Sequence, residues 1–133
     1  MAQKVVVYGG RGALGSAVVA HFKKNGFKVV SIDVHPNEEA DVSVAVDVNA
    51  GWTEQEAKIL EGLSAADVGE VEGVFCVAGG WTGGSAKDDD MIKNADLIIA
   101  VKHLKAGGVL QLTGAAPALN AGTPGMMGYG MAK

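Results

Sequence analysis

The chain has 133 residues, with 11 basic against 15 acidic side chains and a formal net charge of −4. That suits one domain with a buried core and offers no basic stripe for a nucleic-acid partner. No apolar run reaches the roughly 18 residues of a membrane span, and Met1-Ala2-Gln3-Lys4 leads into a strand-like run without a signal-peptide pattern, so a cytoplasmic protein with no membrane partner is expected.

Lys4 to Tyr8 reads as a first strand and Ala13 to Asn25 as a helix, with Leu14, Val18 and Phe22 on one face and Gly26 as its stop. Phe27 to Ile32 is a second strand and Val42 to Val46 a short third. Thr53 to Leu63 is a helix, with Thr53 and Glu56 at capping-box spacing and Trp52 and Ala57 at the staple positions. Val71 to Ala78 is a fourth strand, nearly all apolar toward its end, as a sheet covered on both faces requires. Cys76, the single cysteine, excludes an intramolecular disulfide and reads there as a small buried hydrophobe. Asp88 to Asp90 precede a helix over Met91 to Leu104, where acidic residues complement the helix dipole. Val109 to Thr113 is a fifth strand, followed by a Gly/Pro/Ala-rich loop and a last helical turn from Met126. His21, His35 and His103 have no metal-ligand spacing, so no metal is expected. The alternation predicts an α/β fold, a Rossmann-like doubly wound parallel sheet with right-handed crossovers.

Glycine is over-represented, at 20 residues, and clusters after the apolar runs, where such a fold brings its backbone close to a ligand. Gly9-Gly10-Arg11-Gly12-Ala13-Leu14-Gly15 satisfies G-x-G-x-x-G between a strand and a helix, the context in which that pattern signals dinucleotide binding. The glycines let the backbone approach a pyrophosphate, and the helix N-terminus offers N–H groups to the anion. Arg11 reads either as a second positive charge beside the phosphates or as a solvated loop side chain. Asp33 closes the second strand, 18 residues after Gly15, and reads either as a carboxylate that accepts adenosine ribose hydroxyls and repels a 2′-phosphate or as a strand-end residue starting a turn; on the first reading NADH is expected over NADPH. Asp47, past the third strand, is placed either to touch the adenine edge or to form a turn.

This arrangement resembles the short-chain dehydrogenase/reductase family. Cys76-Val77-Ala78-Gly79 keeps the Ala-Gly of a motif that lines the nicotinamide side in that family and lacks its asparagines. Tyr129-Gly130-Met131-Ala132-Lys133 matches the family's catalytic Tyr-x-x-x-Lys, and its spacing puts both side chains on one helix face. A free tyrosine has a pKa near ~10, and a neighbouring ammonium lowers it by favouring the phenolate. In the family the lysine also holds the nicotinamide ribose.

Val7 to Gly15, Cys76 to Trp81 and Gly122 to Lys133 narrow the resemblance to the quinonoid dihydropteridine reductases. The resemblance implies NADH-dependent reduction of quinonoid dihydrobiopterin to tetrahydrobiopterin, with Tyr129 as proton donor and a homodimer as the family's assembly. Ala116 stands 13 positions before Tyr129, where most of the wider superfamily has a catalytic serine; the dihydropteridine reductases also lack it. Trp81 offers a flat surface for the pterin ring. Against the family pattern, residues 79 to 107 leave room for only one crossover helix, and the chain stops on Lys133. The expectation is therefore one dinucleotide-binding domain over 1–133, truncated after the Tyr-x-x-x-Lys motif. A truncated or alternatively spliced product that keeps dinucleotide binding without catalysis is a second reading, and a nucleotide-sensing relative is a third.

Overall fold

The computed structural model describes residues 2–78 and 96–113, with the side chains of residues 52 and 96–98 excepted. The chain divides into two units, Met1–Ala78 with Ala95–Gln111 and Gly79–Asn94 with Leu112–Lys133. The description that follows concerns the first. Its elements run β1 (Lys4–Tyr8), α1 (Ala13–Lys24), β2 (Lys28–Asp33), β3 (Val42–Ala45), α2 (Trp52–Ala65), β4 (Val71–Cys76), α3 (Asp96–His103) and β5 (Leu104–Leu112). The strands form one sheet in the order β3-β2-β1-β4-β5.

β1 lies parallel to β2 and β4, pairing Val6 with Val30 and Val74, and β2 lies parallel to β3. Side chains alternate across a strand, so each pairing stacks valines and isoleucines on both faces of the sheet. On one face Val6, Val30, Ile32, Val44 and Val74 pack with Ile59 and Leu63 of α2 and Ile99 and Ala100 of α3. On the other, Val5, Val7 and Val29 pack with Val19 of α1, joined by the partly buried Val18, Phe22 and Phe75. Cys76 is buried, as its apolar neighbours suggest. Among the described residues, no helix is long and apolar enough to cross a membrane.

Both long helices end in the same way. After α1 the Phe27 N–H donates to the Phe22 carbonyl and the Gly26 N–H to that of Lys23, a Schellman closure with Gly26 at φ +82°. The two phenylalanines it joins meet edge-on at 5.1 Å between ring centres. After α2 the Val68 N–H reaches the Leu63 carbonyl and the Asp67 N–H that of Ser64, but here the left-handed residue is Asp67, at φ +49°.

Four sequence expectations require correction. Leu14 does not belong to the buried face of α1: it is 55 % exposed, because Gly15 packs against the preceding turn and rotates the buried stripe onto Gly15 and Val19. The expected capping box of Thr53 and Glu56 does not form, and Trp52 and Ala57 do not occupy staple positions, since α2 starts earlier, with Gly51 as its cap and no side-chain cap bond. The start is set by a turn in which Asp47 accepts the Asn49 N–H (2.8 Å), while the Gln55 side-chain amide donates to the carbonyls of Asp47 and Ala50. β4 ends at Cys76, two residues before Ala78. β5 starts at Leu104 and not at Val109, so Leu104 is a strand residue, with α3 ending at His103. Gly107 and Gly108, which the expected strand leaves out, lie inside β5. A Cβ on Gly108 would stand 2.8 Å from the Glu72 carbonyl of neighbouring β4, the close approach that a strand glycine permits. The predicted start of the third helix at Met91, the last helical turn, and the region from Gly79 to Asp90 lie outside the described residues.

Candidate functional site

The parallel strands β1, β2 and β4 end together, and the Gly9–Gly15 turn crosses over their C-terminal ends. In an open α/β sheet this is the edge at which ligands bind. The ladder continues one residue beyond β1, since the Gly9 N–H donates to the Ile32 carbonyl at 2.7 Å. That bond sets the turn beside the end of β2.

Three of its glycines are required by contact with the protein itself. Gly9, at φ +91°, lies so close to the segment that follows β4 that a Cβ would fall 2.5 Å from the Ala78 Cα. A Cβ on Gly10 would press on the Ser31 side chain, and one on Gly15 would lie 2.7 Å from the Gly9 carbonyl carbon. Gly12 differs. Its nearest obstacle would be the Gly9 oxygen at 3.6 Å, an ordinary contact, and its backbone (φ −64°, ψ 172°) is open to any residue. The fold does not demand a glycine there, so the missing side chain leaves room for something else. Gly12 is also the cap of α1, which has neither a side-chain cap bond nor an acidic residue in its first turn. A helix start of this kind presents N–H groups and partial positive charge outward, and Ala13, Leu14 and Gly15 form that first turn.

Asp33 is the last residue of β2. Its Oδ2 accepts the Arg11 N–H at 2.8 Å and its Oδ1 the Val34 N–H at 2.6 Å. An ionised carboxylate has about four acceptor positions, so two remain for hydroxyls of a ligand. Asp33 and Val34 also line a cavity of about 110 Å³ with Gly9, Val46, Val48 and Ala78. Its walls are largely apolar, with the carboxylate at one side. Arg11 enters the site through its backbone, and its side chain lines a second cavity with Ser16, Asn37, Glu38 and Glu39. Asp47 makes the turn before α2, which is one of the two roles open to it from sequence.

The structure thus brings together Gly9, Gly10, Arg11, Gly12, Ala13, Leu14, Gly15, Asp33 and Ala78. Tyr129, Lys133, Gly79 and Trp81 lie outside the described residues. One contributor was missed in the sequence. Asn37, only 6 % exposed, donates from Nδ2 to the Gly10 carbonyl at 2.7 Å, and its Oδ1 accepts the Glu39 N–H. An asparagine after a proline reads as a turn residue, and its bond two residues onward is that turn. Nothing in the pattern points to a partner 27 residues away.

The chain is 36 % identical over 147 aligned positions to a dihydropteridine reductase of Dictyostelium discoideum, with all of this chain and 62 % of that protein covered. It therefore spans about three fifths of the length of this curated relative. Its fold is that of a short chain dehydrogenase family protein from Francisella tularensis, with a TM-score of 0.73 at 20 % identity, covering 100 % of this chain and 59 % of that one. It also matches a short chain dehydrogenase from Leptospira borgpetersenii with bound NAD+, with a TM-score of 0.65 at 13 % identity, covering 93 % of this chain and 56 % of that one. No family model matches the sequence.

Proposed function

We propose that the chain belongs to the dihydropteridine reductase family, binds NADH and serves the reduction of quinonoid dihydrobiopterin to tetrahydrobiopterin, a reading supported by its 36 % identity to the Dictyostelium discoideum protein. The observation that carries the dinucleotide part is the open space at Gly12, at an uncapped helix start and beside the Asp33 carboxylate. An anion fits the first, a ribose diol the second, and the apolar cavity between Val34, Val46 and Val48 suits a flat heterocycle.

When bound, NADH supplies a hydride from its nicotinamide ring. The chain's own residues bind and orient. The Gly9–Gly15 turn would hold the pyrophosphate. Asp33 would accept the ribose hydroxyls and repel a 2′-phosphate, which favours NADH over NADPH. Ala78 with Gly79 would line the nicotinamide side. Trp81 would stack on the pterin. Tyr129 would donate the proton that accompanies reduction, with the Lys133 ammonium making its phenol more acidic and holding the nicotinamide ribose. A quinonoid pterin is already electrophilic, so one proton donor suffices where Ala116 replaces the serine of the wider superfamily.

Turnover of quinonoid dihydrobiopterin with NADH, followed by loss of absorbance from the reduced nicotinamide, tests the reading. Tyr129→Phe should lower kcat by roughly 10²–10⁴, the contribution of a positioned proton donor. Paired Michaelis curves should give the higher kcat/KM for NADH. A preference for NADPH would remove the role given to Asp33, and failure to bind either cofactor would remove the dinucleotide reading itself.

A further inference from the structure

The peptide joining Gly10 to Arg11 is held from both sides. Its carbonyl accepts the Asn37 Nδ2–H at 2.7 Å, and its N–H donates to Asp33 Oδ2 at 2.8 Å. We infer that Asn37 is a positioning residue for the dinucleotide site, fixing the orientation of this peptide and, through it, joining the phosphate cradle to the ribose-binding carboxylate. The inference rests on the cofactor reading above.

The argument begins with glycine. A peptide that follows a glycine rotates at little steric cost, because no Cβ resists the change in backbone angles. If the Gly10–Arg11 peptide turned over, the Arg11 N–H would leave Asp33 and a carbonyl oxygen would face that carboxylate. The Asn37 amide blocks the rotation by holding the carbonyl on the opposite side. Asn37 is itself fixed, since the Ser43 hydroxyl accepts its backbone N–H (3.1 Å) and donates to its carbonyl (2.8 Å). Its Oδ1 is committed to the Glu39 N–H at 2.9 Å. A buried amide so engaged acts on the site through Gly10, not by touching the ligand. Among the described residues only Ser31 and Asn37 are buried polar side chains, and both lie against Gly10.

Asn37→Asp tests this, because it keeps the shape and the acceptor for Glu39 but replaces the donor to Gly10 with an oxygen. The full chain is compared with the variant in three measurements at neutral pH. Titration with ADP-ribose should show affinity reduced about tenfold, the loss of one buried hydrogen bond, while adenosine, which lacks the phosphates, loses less than threefold. Hydrogen exchange read by NMR without any ligand should show the Arg11 amide exchanging at least about tenfold faster, with the amides of Val6 and Val30 unchanged. The melting temperature identifies a variant that has not folded. Asn37→Ala, which removes the donor without adding charge, then carries the same expectations. Unchanged ADP-ribose affinity and Arg11 exchange in a folded variant would overturn the inference. So would equal losses for ADP-ribose and adenosine, or failure of both variants to fold, since Asn37 would then serve the fold alone. If the unaltered chain binds no ADP-ribose, the cofactor reading fails and the positioning role falls with it; the exchange result then reports only the state of the turn.

Discussion

Substituting alanine for single glycines of the turn separates those the fold needs from the one the ligand needs. At Gly15 a Cβ would meet backbone on three sides: the Gly9 oxygen nearest, the Gly9 carbonyl carbon at 2.7 Å and the Gly10 Cα at 2.9 Å. None of these can swing away, so the turn itself must move. Overpacking of that kind costs about 3 kcal/mol, and at roughly 4 °C per kcal/mol for a domain of this size the melting temperature should fall by about 12 °C. Gly12→Ala meets only the Gly9 oxygen at 3.6 Å, in a backbone conformation alanine adopts freely. The cost is the difference between glycine and alanine as a helix cap, about 1 kcal/mol or less, or a few degrees. On the proposed cofactor site its methyl group would stand in the path of the pyrophosphate, so NADH affinity should fall tenfold or more. Gly10→Ala lies between the two, because its main obstacle is the Ser31 side chain, with Cβ at 2.9 Å. Ser31→Gly should recover much of the stability lost at position 10 and nothing at position 15. Thermal melts and NADH fluorescence titrations on the three single variants, and on the Gly10 and Gly15 variants combined with Ser31→Gly, supply the data. A Gly12→Ala variant that binds NADH normally, or a Gly15→Ala variant that melts with the unaltered chain, would refute the steric reasoning.

Asp67 holds a left-handed position at the end of α2, where any residue other than glycine is strained by about 1–2 kcal/mol. Asp67→Gly should therefore raise the melting temperature by a few degrees, after allowance for the greater freedom of an unfolded glycine; a lower value would show that the aspartate contributes something its geometry does not reveal. At Asp41, burial pushes the carboxyl up, but the Lys23 hydrogen bond, the Val29 N–H and the charges of Lys23 and Lys28 together hold its pKa below the ordinary value. A lowered folded pKa means that the carboxylate stabilises the fold above the unfolded pKa of about 4 and loses that effect as pH falls through the folded value. Denaturant midpoints measured from pH 7 down to pH 2 should fall less steeply for Asp41→Asn; identical slopes would count against the assignment.

The elements nearest the site were legible because one local rule fixed each of them. Lys4–Tyr8 is a run of apolar residues ended by glycine, and the second strand ends at Asp33 within a residue of its expected limit. The glycine motif could be read because strand, turn and helix follow one another in sequence. What sequence could not show depends on distant partners. Thr53 has the right spacing for a cap, yet the turn at Asp47–Ala50 and the Gln55 side chain start the helix earlier. Gly107 and Gly108 carry the composition of a turn, but both lie inside β5, and the Glu72 carbonyl of β4 is what Gly108 accommodates. Leu14 keeps the period of a buried face that the packing of Gly15 on Gly9 then rotates into solvent. The sheet order and the bond from Asn37 to Gly10 arise only when the chain closes on itself.

The double use of Asp33 bears on how coenzyme preference can be altered. A designer seeking to admit NADPH would first replace this carboxylate with a neutral or basic side chain. Here the same oxygen that would meet the ribose neighbourhood also accepts the Arg11 N–H, so the exchange removes a support of the turn along with the negative charge. Under the proposed role of Asp33, coenzyme choice and turn geometry would be coupled, and a switch would need a compensating acceptor for Arg11 installed at the same time. Lineages built on this arrangement would change coenzyme through paired substitutions and seldom through one.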